Sequence, residues 1–149
     1  MSVDELQESD TGRMTDDQIR EFLTERGVGV LGLADEDVPY LLPMSFGYDG
    51  ERTLYFVFLL FGTESRKETL VRQAARGRFL VYGADSMHDW RSVSMVGAIQ
   101  AVDADRWSDL QAAMENAWHP SLFSSASPMR GVEGYRLDIE EWTGIRNER

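Results

Sequence analysis

Residues 28–60 read VGVLGLADEDVPYLLPMSFGYDGERTLYFVFLL, and the punctuation within this stretch decides the fold. Val28 to Ala34 is an apolar run broken only by glycine, and it enters an acidic turn, Asp35-Glu36-Asp37. A second run, Val38 to Tyr48, stops at Asp49-Gly50, a strong short-range hairpin signal, and a third, Thr53 to Leu60, follows at once. Runs of this length, rich in β-branched and aromatic residues and joined by short turns, predict consecutive antiparallel strands. Pro39 and Pro43 fall in the second run, and each withholds a backbone donor. A strand paired on both sides does not tolerate that loss, so this one is expected at a sheet edge or bulge. Its free backbone groups then either meet a ligand or form an irregular edge.

Upstream, Thr15 and Gln18 make a capping box, Ile19, Phe22 and Leu23 form one apolar stripe, and Gly27 stops a short helix. Met1 to Arg13 is polar and acidic without periodicity and reads as a disordered leader, leaving residues 14–149 as one domain. Downstream, the pattern predicts a helix over Arg66 to Arg76 ending at Gly77, a strand over Phe79 to Gly83, and a strand over Trp90 to Val102 that bends at Gly97. A helix capped by Asp103 or Asp105 should carry Trp107, Leu110, Met114 and Ala117. A loose segment, His119 to Arg130, precedes a last strand, Gly134 to Glu140, with Tyr135, Leu137 and Ile139 on one face. About six antiparallel strands with peripheral α-helices make a mainly β protein shaped as a small closed barrel.

A net charge of −11 spread along 149 residues argues against nucleic-acid or anionic-membrane binding through bulk electrostatics. No window resembles a membrane span or signal peptide, so a cytoplasmic protein is expected. With no cysteine, thiol chemistry and thiolate metal sites are excluded. Dense carboxylates beside fourteen arginines and a single lysine suggest adaptation to high salt.

That one lysine, Lys67, stands in Ser65-Arg66-Lys67 at a helix start. Ser65 with Glu68 is a capping box, which by itself accounts for a capped helix. Two cations in a first turn oppose the helix dipole, however, and a bound phosphate would resolve the conflict. Trp90-Arg91-Ser92 combines an aromatic, a fork-shaped cation and a hydroxyl; it suits a phosphate, and equally a strand with a solvated polar face. His88 and His119 lie apart in sequence without patterned carboxylates and read as loop residues, not metal ligands.

Taken in order, Pro43-x-Ser45-Phe46-Gly47, an aromatic strand, Ser65-Arg66-Lys67 and Arg91-Ser92-Val93 with Gly97 beyond resemble the pyridoxamine 5′-phosphate oxidase-like flavin-binding split-barrel superfamily, over roughly Thr15 to Gly144. The resemblance implies a six-stranded antiparallel split β-barrel that forms a homodimer and binds FMN in grooves at the subunit interface. It implies that Ser65, Arg66 and Lys67 hold the FMN phosphate, with Trp90, Arg91 and Ser92 near the phosphate or ribityl chain. The backbone of Met44, Ser45 and Phe46 would lie along the isoalloxazine ring, with Phe58 near the other side of the pocket. A flavin-dependent oxidoreductase acting on a small substrate follows, with a non-catalytic flavin-binding module, or a deazaflavin- or haem-binding relative, as alternatives. Tyr55 to Phe61 lacks the histidine or threonine that many relatives carry there, and its apolar character suggests an interface strand. The segment Trp142 to Arg146 has no counterpart of the substrate-binding arginine and histidine, so vitamin B6 oxidation is not expected.

Overall fold

The computed structural model describes residues 11–59, 66–116 and 132–147. Helix α1, Asp16–Glu25, is capped as its sequence demands: the Thr15 hydroxyl accepts from the Gln18 N–H at 3.2 Å, and the Gln18 side chain accepts from the Thr15 N–H at 2.9 Å. Its stripe of Ile19, Phe22 and Leu23 is buried. The strands are β1 Thr11–Arg13, β2 Val28–Leu33, β3 Tyr40–Ser45, β4 Gly47–Tyr48, β5 Thr53–Leu59, β6 Arg76–Ser86, β7 Asp89–Ala101 and β8 Val132–Asn147. Helices α2, Arg66–Gln73, and α3, Trp107–Ala113, complete the order, α3 with a 3-10 turn on either side.

All eight strands belong to one antiparallel sheet, ordered β3-β2-β6-β7-β8-β5-β4, with β1 paired to β8. β3 and β4 are separated only by Phe46, so the run from Tyr40 to Tyr48 pairs first with β2 at one end of the order and then with β5 at the other. That exchange of partners curls the sheet into a barrel and makes β3 and β4 one strand of six, with β1 as an addition. β3 has β2 as its one ladder partner, which is how it accommodates Pro43.

The barrel core is aromatic. Phe22, Phe46, Phe56, Phe58 and Phe79 are fully buried, and the Phe46 and Phe79 rings meet edge to face at 5.4 Å. Tyr55 and Val57 point to the other face of β5, where α3 covers them with Trp107, Leu110 and Ala113, and the 3-10 turn after it with Met114. The described part of the aromatic strand is therefore core and helix platform, not the exposed interface strand its sequence suggested. Alternation places each side chain of a strand opposite its neighbour, so every residue of a run that is apolar throughout finds an apolar layer.

Several boundaries differ from the sequence reading. Thr11–Arg13 pairs with Ile145–Asn147, so the limit expected after Arg13 falls at the end of a strand. α2 ends at Gln73, and Gly77 lies inside β6 opposite Gly97, because an added Cβ would meet the Ile99 side chain at 2.5 Å. β8 runs on past Glu140 to Asn147. Its register against β7 shifts between Val96 and Gly97, at the expected bend, where a Cβ on Gly97 would lie 2.0 Å from the Asp138 carbonyl oxygen. Asp103 precedes the 3-10 turn but makes no side-chain cap. Ala117 and the segment His119 to Arg130 lie outside the described residues. No described helix is long and apolar enough to cross a membrane.

Candidate functional site

No described helix covers the outside of one wall of the barrel, and the ladder defines what that wall presents. Leu41, Gly32, Arg78, Val96 and Glu141 form one cross-strand row; Pro43, Val30, Leu80, Ser94 and Thr143 form the next. Beyond these, Ser45 opposes Val28, and Tyr82, Ser92 and Ile145 stand side by side. The same strands turn Phe79, Val81, Val93 and Met95 inward. The outer face thus mixes aliphatic groups with hydroxyls, and Arg78 donates to Ser94 Oγ at 2.9 Å.

At the β2–β3 turn this face deepens into a cavity of about 540 Å³, lined by Gly32, Asp35, Leu41, Arg76, Arg78 and Val96 among others. That volume is within the usual range of small-ligand sites. Asp35 belongs both to this wall and to a two-point ion pair, accepting from Arg66 Nε and Nη2. The hydrogen bond and charge of Asp35 raise the Arg66 pKa above its ordinary value. The pair fastens the first turn of α2 beside the cavity, with Leu70 and Val71 of the same helix anchored in the core. A guanidinium has five donors in a planar fork, so Arg66 keeps one edge for a second anion while Asp35 holds the other. Lys67 is half-buried in the same turn. Arg76 leans outward to Glu140 at 2.7 Å.

The residues singled out from sequence are divided by the structure. Ser45 and Ser92 are on the outer face, and Arg66, paired to Asp35 of the cavity wall, is beside the cavity, with Lys67 following it in the first turn of α2. Trp90 opposes Asn147 on the same outer side as Ser92, one ladder step further along. Met44, Phe46 and Phe58 turn their side chains into the core, where the Phe58 ring meets Phe56 edge-on at 6.1 Å and lies tilted against Tyr135 at 5.6 Å. The Phe46 N–H is donated to the Gly27 carbonyl at 3.0 Å, so the expected free backbone is confined to the edge of β3 that faces away from β2. Arg91 departs most from expectation. Neighbours on a strand project to opposite faces, so Arg91 and Ser92 face opposite sides of β7; Arg91 turns inward, its guanidinium 4.8 Å from the Phe22 ring centroid. Ser65 lies outside the described residues.

Asp35, Arg76 and Arg78 were not anticipated as site residues. For Asp35 the signal was present, since an acidic turn between two strands places a carboxylate at the end of the sheet. A second hollow, about 430 Å³, lies at the opposite edge among Tyr48, Thr53, Tyr55, Arg106 and Asp109. There the Tyr48 hydroxyl donates to the Glu51 carbonyl at 2.7 Å, and burial pushes its pKa up to about 12. The described residues contain no group of three or more histidines and carboxylates placed to hold a metal.

A phosphate beside the Asp35 wall would meet the edge of the Arg66 guanidinium that Asp35 does not hold, while Ser45 and Ser92 present hydroxyls further along the same outer face. Among the described residues, the Phe58 and Arg91 side chains face the inner side of their strands rather than this outer face.

Comparison with known proteins gives a consistent family. A sequence profile described as pyridoxamine 5′-phosphate oxidase matches residues 15–146. No curated protein matches the chain. Among solved structures, a FAD-binding protein from Mesorhizobium loti is similar with a TM-score of 0.71 and 21% identity, over 93% of this chain and 98% of that one. A FAD and heme binding protein from Mycobacterium smegmatis has a TM-score of 0.72 and 16% identity, over 95% and 75% of the two chains. A putative 5-nitroimidazole antibiotic resistance protein from Bacteroides thetaiotaomicron has a TM-score of 0.70 and 20% identity, over 91% and 87%.

Proposed function

The chain belongs to the pyridoxamine 5′-phosphate oxidase-like family, and from that premise we propose that it is a flavin-binding protein that takes FMN at the outer groove and serves as a flavin-dependent oxidoreductase for a small substrate. The observation that carries this reading is the ion pair that fastens Arg66, in the first turn of α2 next to Lys67, to Asp35 in the wall of a cavity of about 540 Å³. Lys67 and the free edge of Arg66 would hold the phosphate by charge-assisted bonds, and Ser45 and Ser92 would meet the ribityl hydroxyls. Bound flavin would supply the redox chemistry. The chain's own part is to anchor, orient and exclude water. The names of the Mesorhizobium and Mycobacterium neighbours support a flavin ligand.

A homodimer is part of the proposal. Leu41 is 67% exposed, Tyr82 62% and Val28 37%, with Val30, Leu80, Val96 and Ile145 half-buried beside them. Exposed apolar groups distributed over five strands suit an interface, and a second copy laid on that face would close the groove. A flavin carrier without chemistry is the second reading. It is favoured by β5, whose residues 54–58 all point to the core or to α3 and leave no proton donor of that strand facing the groove.

The test is a binding comparison. Arg66→Ala and Lys67→Ala should each weaken FMN by tenfold or more, from lost charge-assisted bonds of about 1.5–3 kcal/mol, while riboflavin binding stays within twofold. Equal losses for both ligands would overturn the phosphate assignment. The absorption spectrum of the purified protein separates flavin from deazaflavin and haem. Turnover with NADH, NADPH or a reduced deazaflavin separates an enzyme from a carrier.

A further inference from the structure

The hollow between the β4–β5 turn and α3 has walls that are fixed on both sides. α3 rests directly on β4: a Cβ added to Gly47 would lie 2.3 Å from the Ala113 carbonyl oxygen, so the approach requires glycine. In the turn, Asp49 Oδ1 accepts the N–H groups of Glu51 at 2.8 Å and Thr53 at 3.1 Å, and the Tyr48 hydroxyl is given to the Glu51 carbonyl. The Thr53 hydroxyl donates to Asp138 at 3.3 Å. The space of about 430 Å³ between these walls is therefore set by the framework of the fold, and its volume is in the range of small-ligand sites.

One group inside it is left over. Tyr55 is 6% exposed, with its ring held in the apolar cluster of Val57, Trp107 and Leu110. The residue lines the hollow, yet its hydroxyl makes no hydrogen bond with any described residue. A hydroxyl drawn this far into the protein calls for a partner, and here the partner has to come from outside the chain. Burial raises the Tyr55 pKa above its ordinary value, and the charges of Asp109 and Asp49 add to the rise against the smaller effects of Arg106 and Arg136. The hydroxyl stays neutral and lies in a negative field.

Acceptors outnumber donors around it. Asp49 commits only Oδ1 to the turn, and Asp109 meets Arg106 at 3.9 Å, too long for a hydrogen bond. Two carboxylates against one guanidinium leave the lining with a formal charge of −1. We infer that this hollow binds a primary ammonium ion, the head of a small organic amine, between Tyr55, Asp49 and Asp109. An ammonium has three N–H donors and one positive charge, which matches three acceptor groups and a lining one charge negative. A carboxylate or phosphate would face two like charges, and a neutral ligand would leave the excess charge unmet. The site is separate from the outer groove, whose cavity is lined from β2, β3, β6 and β7.

n-Propylammonium is the probe, added to the isotope-labelled full chain in a two-dimensional NMR titration at neutral pH and constant ionic strength. Saturable shifts should appear at the amides of Tyr48, Asp49, Thr53, Ala112 and Ala113, and not at Gly32 or Gly77 of the outer cavity. Tyr55→Phe keeps the ring and removes only the oxygen; it should lower the affinity by about tenfold, the worth of a hydrogen bond to a charged group. Asp109→Asn should lower it by about threefold or more, less because the Asp109 side chain is 58% exposed. That exposure also makes it a safe variant should Tyr55→Phe disturb the core. Tetramethylammonium, with the same charge and no N–H, should bind about tenfold more weakly. Shifts that are absent, or centred on Gly32 and Gly77, would overturn the site. Affinity unchanged in both variants would overturn the assigned residues, and tetramethylammonium binding as tightly as n-propylammonium would overturn the ligand class.

Discussion

Gly97→Ala should be the most damaging single methyl that can be added to β7. The register between β7 and β8 shifts at this residue, and the new Cβ would lie 2.0 Å from the Asp138 carbonyl oxygen, 2.7 Å from its carbon and 2.9 Å from the Leu137 side chain. Real Cβ atoms essentially never come closer than 3.0 Å, so the Asp138 oxygen must retreat by about 1 Å. That oxygen is backbone in the strand that holds β5, β7 and β1 together, so it has no rotamer into which to escape. Overpacking in a dense interior costs about 1–3 kcal/mol, and each ladder hydrogen bond strained or lost adds about 1 kcal/mol. A total near 3 kcal/mol corresponds to a melting temperature lowered by about 6–12 °C in a chain of this size. Differential scanning calorimetry at fixed protein and flavin concentration measures it. Gly12→Ala is the control: it adds the same methyl where nothing lies within 4 Å, and it should shift the midpoint by less than about 2 °C. Equal melting temperatures for Gly97→Ala and wild type would refute the close approach of β7 and β8, and the bulge with it.

Three further outcomes are expected. Because the Tyr48 pKa is pushed up to about 12 from 10, its neutral form stabilises the fold below pH 10, and that contribution is lost as pH rises through 12; Tyr48→Phe should flatten part of the fall in melting temperature over that window. Thr15→Ala removes one half of the capping box and should cost about 1 kcal/mol, read as a lower urea midpoint at unchanged slope. With a net charge of −11, melting temperature should rise between dilute buffer and molar salt when flavin concentration is held fixed; a flat response would refute salt adaptation.

Much of the barrel was legible in the chain because alternation and turn chemistry are local. Thr15 with Gln18, and Tyr135 with Leu137 and Ile139, needed nothing beyond their own neighbourhoods. Gly77 misled because a glycine after a helical stretch reads as a stop, whereas its actual constraint is the Ile99 side chain, which arrives from another strand. The continuation of β8 past Glu140 was hidden by the bulge: an extra residue breaks the period of two, and Trp142 and Gly144 resume the inward face out of phase. Phe58 and Arg91 were assigned to the ligand by resemblance, although alternation already put Arg91 opposite Ser92. The Phe22–Arg26 contact was also open to inspection, since residues four apart share a helix face. Arg66 is a different case: its Asp35 partner lies thirty-one positions away, and only the folded β2–β3 turn brings it within reach.

The place of β8 in the sheet bears on how the protein is made. It is the last of the described strands to leave the ribosome, yet it lies between β7 and β5 and also carries β1. Until residue 132 and its successors emerge, β5 and β7 each present an unpaired edge rich in aromatic and aliphatic side chains, a template for pairing with another nascent chain. Helices and the β2–β3 and β6–β7 hairpins can form vectorially, as each contains its own partners. The barrel itself cannot close before β8 emerges. A message interrupted within the codons for 132–147 would therefore yield a product with its two stickiest strands exposed, which degradation rather than refolding would have to clear.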